Sequence, residues 1–169
     1  TPATQDRFLT LLQEHRKILH SVSAAYCRDA AERQNLVQDM VVQLWRSFGR
    51  YDERYRFSTW MYRIALNVAI SFVRSERRRA RVSVPLEEAL METVAAPEPP
   101  STDQDFLRLQ RFIDQLGEMD RALIALHLDG NRYDAIAEVL GLSETNVGTK
   151  LNRIKQKLRE WARAEESGG

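Results

Sequence analysis

Apolar residues recur every three or four positions through most of this chain. Over 5–28 the series is Phe8, Leu9, Leu12, Ile18, Leu19, Val22 and Tyr26, which predicts one amphipathic helix. Leu36, Val37, Met40, Val41, Leu44, Trp45 and Phe48 predict a second helix over 31–48, with Gly49 as its stop. The stretch 49–57, GRYDERYRF, has no period and reads as a polar loop carrying aromatic rings. A third helix is expected from Ser58, a favourable N-cap. Phe57 and Tyr62 are spaced for a hydrophobic staple across its first turn. Trp60, Met61, Ile64, Ala65, Val68 and Phe72 carry the period to about residue 75, where the helix runs into Arg74, Arg77, Arg78, Arg79 and Arg81.

The pattern then stops. Residues 82–104 hold Pro85, Pro97, Pro99 and Pro100, five acidic residues and no Lys or Arg. Residues 86–94 have the pattern of two helical turns, and the rest reads as a linker of at most roughly 75–80 Å when extended. Helical periodicity resumes near 105–117, 119–129, 132–140 and 144–163. The expected fold is all-α: a helical domain at 1–81, a flexible acidic linker at 82–104, a second helical domain at 105–163 containing a helix-turn-helix, and a tail at 164–169. Gly, at 7 residues, and Pro, at 5, are scarce, as such a fold requires.

Composition adds exclusions. The chain has 169 residues, 43% hydrophobic and 29% charged, ordinary for a soluble globular protein. Cys27 is the single cysteine, so no internal disulfide forms and a reducing compartment fits. His15, His20 and His127 lack metal-ligand spacing, and neither a metal nor another cofactor is expected. No secretory signal and no run of about 20 apolar residues is visible, so a cytoplasmic protein without membrane insertion is expected.

The net charge of +1 conceals segregation. Residues 46–81 hold ten basic and three acidic residues, 82–129 three basic and ten acidic, and 145–163 six basic and one acidic. Two basic blocks flanking an acidic one indicate a polyanionic partner.

The most specific local pattern is YDAIAEVLGLSETNV, 133–147. Ile136, Ala137 and Leu140 form one face, small Ala137 allows close helix approach, Gly141 suits a turn needing positive φ, and Leu142 fills the angle between helices. Ser143 caps the next helix, although Asn146 replaces the Glu or Gln of a full capping box. Val147, Leu151, Ile154 and Leu158 would face inward. This is the plan of a DNA-binding helix-turn-helix. Its candidate DNA contacts are Glu144, Thr145, Asn146, Thr149, Lys150 and Arg153, with Lys157 further along. Asn and Arg can bond purine edges for roughly 1–3 kcal/mol of discrimination each, whereas distal Lys and Arg suit phosphate. Gly148 costs about 1 kcal/mol in a helix and allows close approach of DNA or a neighbouring helix.

In the front half, FSTWMYRIALNVA, 57–69, interleaves aromatic rings, small polar residues and arginines. Rings stack on unpaired bases while a basic groove follows the phosphates. Asn67 is the candidate base reader. Arg63, Arg74, Arg77 and Arg78 are candidate phosphate contacts, and Tyr51, Tyr55 and Phe57 are candidates to hold a flipped base. Trp60, at core spacing, is expected to be structural.

LVQDMVVQLWR at 36–46, the 57–69 block and the terminal helix-turn-helix together resemble the extracytoplasmic-function subfamily of sigma-70 RNA polymerase sigma factors, over roughly 8–81 and 105–161. The resemblance implies that Gln38, Asp39, Gln43 and Arg46 dock on the β′ clamp helices of core RNA polymerase, with the β flap as a further contact. It implies that Asn67 and the 50–57 loop recognise and open a −10 element, that 144–157 reads a −35 element, and that the acidic linker threads toward the active-site and RNA-exit channels. Asn35 stands where the family usually has Asp. Arg63 and Ile64 stand where housekeeping relatives carry a Trp-Trp wedge, implying weaker melting and a stricter promoter. Regulation by a separate anti-sigma factor is implied as well. Two other readings compete. A DNA-binding regulator working without polymerase would leave the 36–46 face unexplained. An enzyme would need paired carboxylates, a nucleophile constellation or a metal set, and none stands out.

Overall fold

Amphipathic segments gain stability by burying their apolar stripes against one another, and the computed structural model shows this for residues 2–75 and 103–168, which are the ones it describes. These fall in two compact units, Thr1–Glu98 and Pro99–Gly169. All regular structure among the described residues is helical.

The first unit contains α1 (Pro2–Glu14), α2 (Arg16–Tyr26), α3 (Ala30–Ser47), one 3-10 turn (Phe48–Arg50) and α4 (Phe57–Ser75). Helices α2, α3 and α4 pack mutually. They enclose Leu19, Leu36, Met40, Leu44 and Met61, and α1 adds Phe8 and Leu12, all fully buried. Each such side chain contributes about 1.5–3 kcal/mol through burial. Asp29 caps α3 by accepting from the Glu32 amide at 3.0 Å. Arg33 reaches back to the carbonyls of Cys27 and Arg28, at 3.2 and 2.9 Å.

Three local expectations are corrected here. The single helix over 5–28 is broken at His15 (φ −114°, ψ 14°). The His15 amide donates to the Leu11 carbonyl at 3.1 Å, its Nδ1 lies 2.9 Å from the same oxygen, and the Ile18 amide turns to the His15 carbonyl at 3.0 Å. The apolar period passes through this kink unchanged, so the pattern does not reveal it. Gly49 does not stop α3, which ends at Ser47 and gives way to a 3-10 turn. The glycine sits inside that turn, and a methyl group there would meet nothing within 4 Å. Ser58 is not a cap, because α4 starts one residue earlier and the Trp60 amide already donates to the Arg56 carbonyl at 3.2 Å.

The second unit contains α5 (Gln104–Asp114), α6 (Glu118–Leu128), α7 (Tyr133–Leu140) and α8 (Glu144–Gly168). Leu123, Leu126, Ile136 and Leu151 are fully buried where α6, α7 and α8 meet. Arg121 fastens the α5–α6 turn, donating to the carbonyls of Leu116 (2.9 Å) and Asp114 (2.6 Å). Asp103 accepts from the Asp105 amide at 2.9 Å. The end of the expected linker is therefore the cap of α5. The expected tail is also corrected: residues 164–168 are the last turns of α8. Glu165 holds them to Arg108 (3.1 Å) and Arg111 (3.6 Å), beside a Phe112–Trp161 ring contact of 5.8 Å. The two turns expected at 86–94, most of the linker, and Arg77, Arg78, Arg79 and Arg81 lie outside the described residues. Among the described residues no helix is long and apolar enough to cross a membrane.

Candidate nucleic-acid interface

Sequence dictates the angle between α7 and α8 through four residues. Gly141 takes φ +70°, which lets its amide and that of Leu142 both return to the Ala137 carbonyl, at 2.9 and 3.1 Å. Ser143 Oγ accepts from the Asn146 amide at 3.1 Å and starts α8. Val147, Leu151 and Ile154 point inward and are buried, while Leu158 is half-buried. The opposite side of α8 is thereby left to solvent. Glu144, Thr145, Asn146, Thr149 and Arg153 are exposed there, and Lys150 is half-exposed. Glu144, in the first turn, also suits the positive end of the helix dipole. Lys157 is exposed, with its ammonium 3.8 Å from the Asp120 carboxylate of α6. Close approach at Gly148 is toward a neighbouring helix. A Cβ there would stand 3.4 Å from the Tyr133 ring, an ordinary contact.

The same geometry shows what residue-type reasoning missed. Thr145, Thr149, Asn152 and Gln156 are spaced four, three and four apart, and all are exposed, so they form the outermost row of α8. Asn152 and Gln156 carry amides able to bond adenine. Helical spacing from Thr145 was the signal that could have found them.

On the first unit, Arg63, Asn67, Ser71 and Arg74 are exposed along one stripe of α4. Trp60 borders the stripe and is half-buried, packed on Tyr51 (5.1 Å), Phe57 (5.2 Å) and Phe48 (6.2 Å). Next to it the 51–56 loop closes on itself. The Tyr51 hydroxyl donates to the Tyr55 carbonyl at 2.8 Å, the Tyr55 amide to the Asp52 carbonyl at 3.1 Å, and the Arg54 amide to Asp52 Oδ1 at 3.0 Å. Hydrogen bonds from Arg54 hold the Asp52 carboxyl below the ordinary carboxylate range. Of the loop's candidate base-holding rings, Tyr55 is 50% exposed and Phe57 only 6%. Phe57 is accordingly corrected from a base contact to a core residue, because its ring packs against Tyr51, Trp60 and His15. Tyr51 is half-buried at the foot of the loop, where burial pushes its hydroxyl pKa up.

On α3, Asp39, Gln43 and Arg46 are spaced four and three apart and share a stripe. Gln43 and Arg46 are exposed, and Asp39 is half-exposed. Gln38 lies one position around the helix, also half-exposed, and Gln43 donates to Ser47 Oγ at 3.3 Å. Trp45 packs on Phe8 at 5.1 Å, which assigns it to the domain's own packing. No group of three or more His, Cys, Asp or Glu side chains among the described residues is placed to hold a metal.

Known proteins share these sequences and this architecture. The Sigma-70 region 2 model matches residues 11–79 and the Sigma-70 region 4 model matches residues 106–158. The chain is 30% identical over 156 residues to the RNA polymerase sigma-H factor of Pseudomonas aeruginosa, covering 86% of this chain and 79% of that one. It is 24% identical over 146 residues to the "Probable RNA polymerase sigma factor RfaY" of Xanthomonas campestris pv. campestris, covering 82% of this chain but only 36% of that longer protein. A solved structure of CnrH in complex with the cytosolic domain of CnrY has the same fold, with a TM-score of 0.69 at 24% identity over 95% of this chain and 90% of that one.

Proposed function

Because the chain belongs to the sigma-70 family of RNA polymerase sigma factors, in its extracytoplasmic-function group, we propose that its two helical units read two separated elements of one promoter while the first unit holds core RNA polymerase. The observation carrying this is that two helices, α4 in one unit and α8 in the other, each present an outward row of amide-bearing or hydroxyl-bearing residues flanked by arginines. Rows of that chemistry meet bases and phosphates together.

In this reading Asn67 and Tyr55 meet the −10 element, and Arg63, Arg74, Arg77 and Arg78 its phosphates. Thr145, Asn146, Thr149, Asn152 and Arg153 meet the −35 element, with Glu144, Lys150 and Lys157 at its rim. Gln38, Asp39, Gln43 and Arg46 dock on the β′ clamp helices, and the second unit meets the β flap. The domains are 1–81 and 103 onward, joined by the acidic stretch 82–102. The catalysis is the polymerase's, no cofactor takes part, and the chain acts in the cytoplasm, where that enzyme works. A sigma-type relative held by a second protein's cytosolic domain supports control by an anti-sigma factor.

Run-off transcription with core polymerase on a promoter library tests the reading. Start-site selection by the added chain is expected, and failure to associate with core polymerase would sink it. Asn67→Ala should lower transcription from the cognate promoter several-fold with polymerase binding intact. A parallel loss of polymerase binding would contradict the role given to α4. Arg153→Ala should weaken protection of the −35 element by about 1–3 kcal/mol. Identical footprints on intact and altered −35 sequences would refute that contact.

A further inference from the structure

Arg7, on α1, lies 46 positions before Glu53 in the loop, and the two form an ion pair. The same guanidinium stands over the Phe48 ring, 5.6 Å from its centroid. Phe48 belongs to the 3-10 turn before the loop and stacks on Tyr51 at 6.3 Å. One side chain from outside the loop therefore grips both its foot, through Phe48, and its tip, through Glu53. The loop's own bonds run between Tyr51, Asp52, Arg54 and Tyr55 and leave Glu53 to this outside contact.

We propose that Arg7 is a positioning residue for promoter opening: it holds the 51–56 loop in the shape that presents the Tyr55 ring. This rests on the proposed −10 role of the loop. Arg7 and Glu53 side chains are 51% and 66% exposed, so the brace is modest and screened by salt. Two weak contacts on one guanidinium shift a loop equilibrium about fivefold, not a thousandfold. An effect of that size alters the rate of capturing an unpaired base without unfolding the domain.

Two measurements on the full chain decide the matter. The first is amide exchange of Arg54 and Tyr55 without DNA, which Arg7→Ala should speed about fivefold. The second is −10 opening by the holoenzyme, followed by permanganate reactivity of unpaired thymines. Arg7→Ala should slow opening about three- to tenfold at low salt, with core association and the −35 footprint unchanged. Arg7→Ala combined with Glu53→Ala should be little worse than Arg7→Ala alone. The exchanged pair, Arg7→Glu with Glu53→Arg, should recover the part of the loss owed to the ion pair but not the part owed to the cation over Phe48. A swapped pair as slow as Arg7→Glu alone would mean that Arg7 meets DNA itself and would overturn the proposal. Unchanged exchange, or faster exchange with normal opening, would overturn it too while leaving the −10 reading intact. Failure of the wild-type chain to open any promoter would overturn that reading instead, with amide exchange still reporting on the brace.

Discussion

Gly141 holds φ +70°, a conformation in which a Cβ crowds the following carbonyl. Gly141→Ala should cost about 1–2 kcal/mol. Gly148 should respond with the opposite sign. It sits in regular helix with room for a methyl beside Tyr133, so Gly148→Ala should raise stability by up to about 1 kcal/mol. Urea denaturation of the full chain measures both, and a loss at 148 would show that the Tyr133 ring cannot accept the contact. Cys27 gives a chemical test. Burial, reinforced by Glu32, pushes its thiol up to about 11. At pH 8 only about one thiol in a thousand is ionised. Alkylation of the native chain should be correspondingly slow and should become fast on denaturation. Rapid labelling of the native state would mean that the α2–α3 corner opens.

Among the elements, α8 is anchored at both ends, and its anchors differ in visibility. Ser143 and Gly141 announce the turn before α8 because cap and left-handed chemistry is local and residue-specific. The far end was not legible: Arg108, Arg111 and Glu165 read as ordinary surface charges until α5 brings them together. Similarly, nothing local marks the break at His15 or the burial of Phe57, both of which depend on what packs alongside. Asn152 was legible by spacing, yet residue type drew attention to its charged neighbours. The clasp predicts that Trp161→Ala, removing a half-buried ring from Phe112, costs about 2 kcal/mol. Thermal unfolding checks this. His127, near the end of α6, has its pKa lowered by partial burial and then by Lys155. The unfolded chain therefore takes up that proton first. This contribution to stability is complete above the ordinary imidazole value of about 6.5. It is lost as the pH falls from there through the lowered value. His127→Gln should flatten that part of the stability–pH curve, and an unchanged slope would reject the assignment.

At the scale of the whole molecule, the near-zero net charge is the sum of opposed blocks, so it says nothing about affinity for DNA. The two basic faces should make promoter binding steeply salt-dependent, since each phosphate contact releases counterions. Arg74→Ala should reduce the slope of log K against log salt by about 0.9 and leave sequence preference alone. Asn67→Ala should do the reverse, flattening preference at one base with the slope unchanged. Titrations of holoenzyme on matched and mismatched promoters separate the two, and a shared phenotype would dissolve the division between α4's arginines and its amide.

The 25 residues of α8 form one unbroken helix, about 37 Å long. Its buried residues Val147, Leu151 and Ile154 act as a fulcrum, and Trp161 and Glu165 lie on the long arm. Thr145 lies six residues, about 9 Å, from Leu151, so a tilt of 10° displaces it by roughly 1.6 Å, over half the length of a hydrogen bond. If Thr145 and Asn146 meet bases as proposed, their aim is thus calibrated at the other extremity of the lever, by the Trp161 and Glu165 clasp.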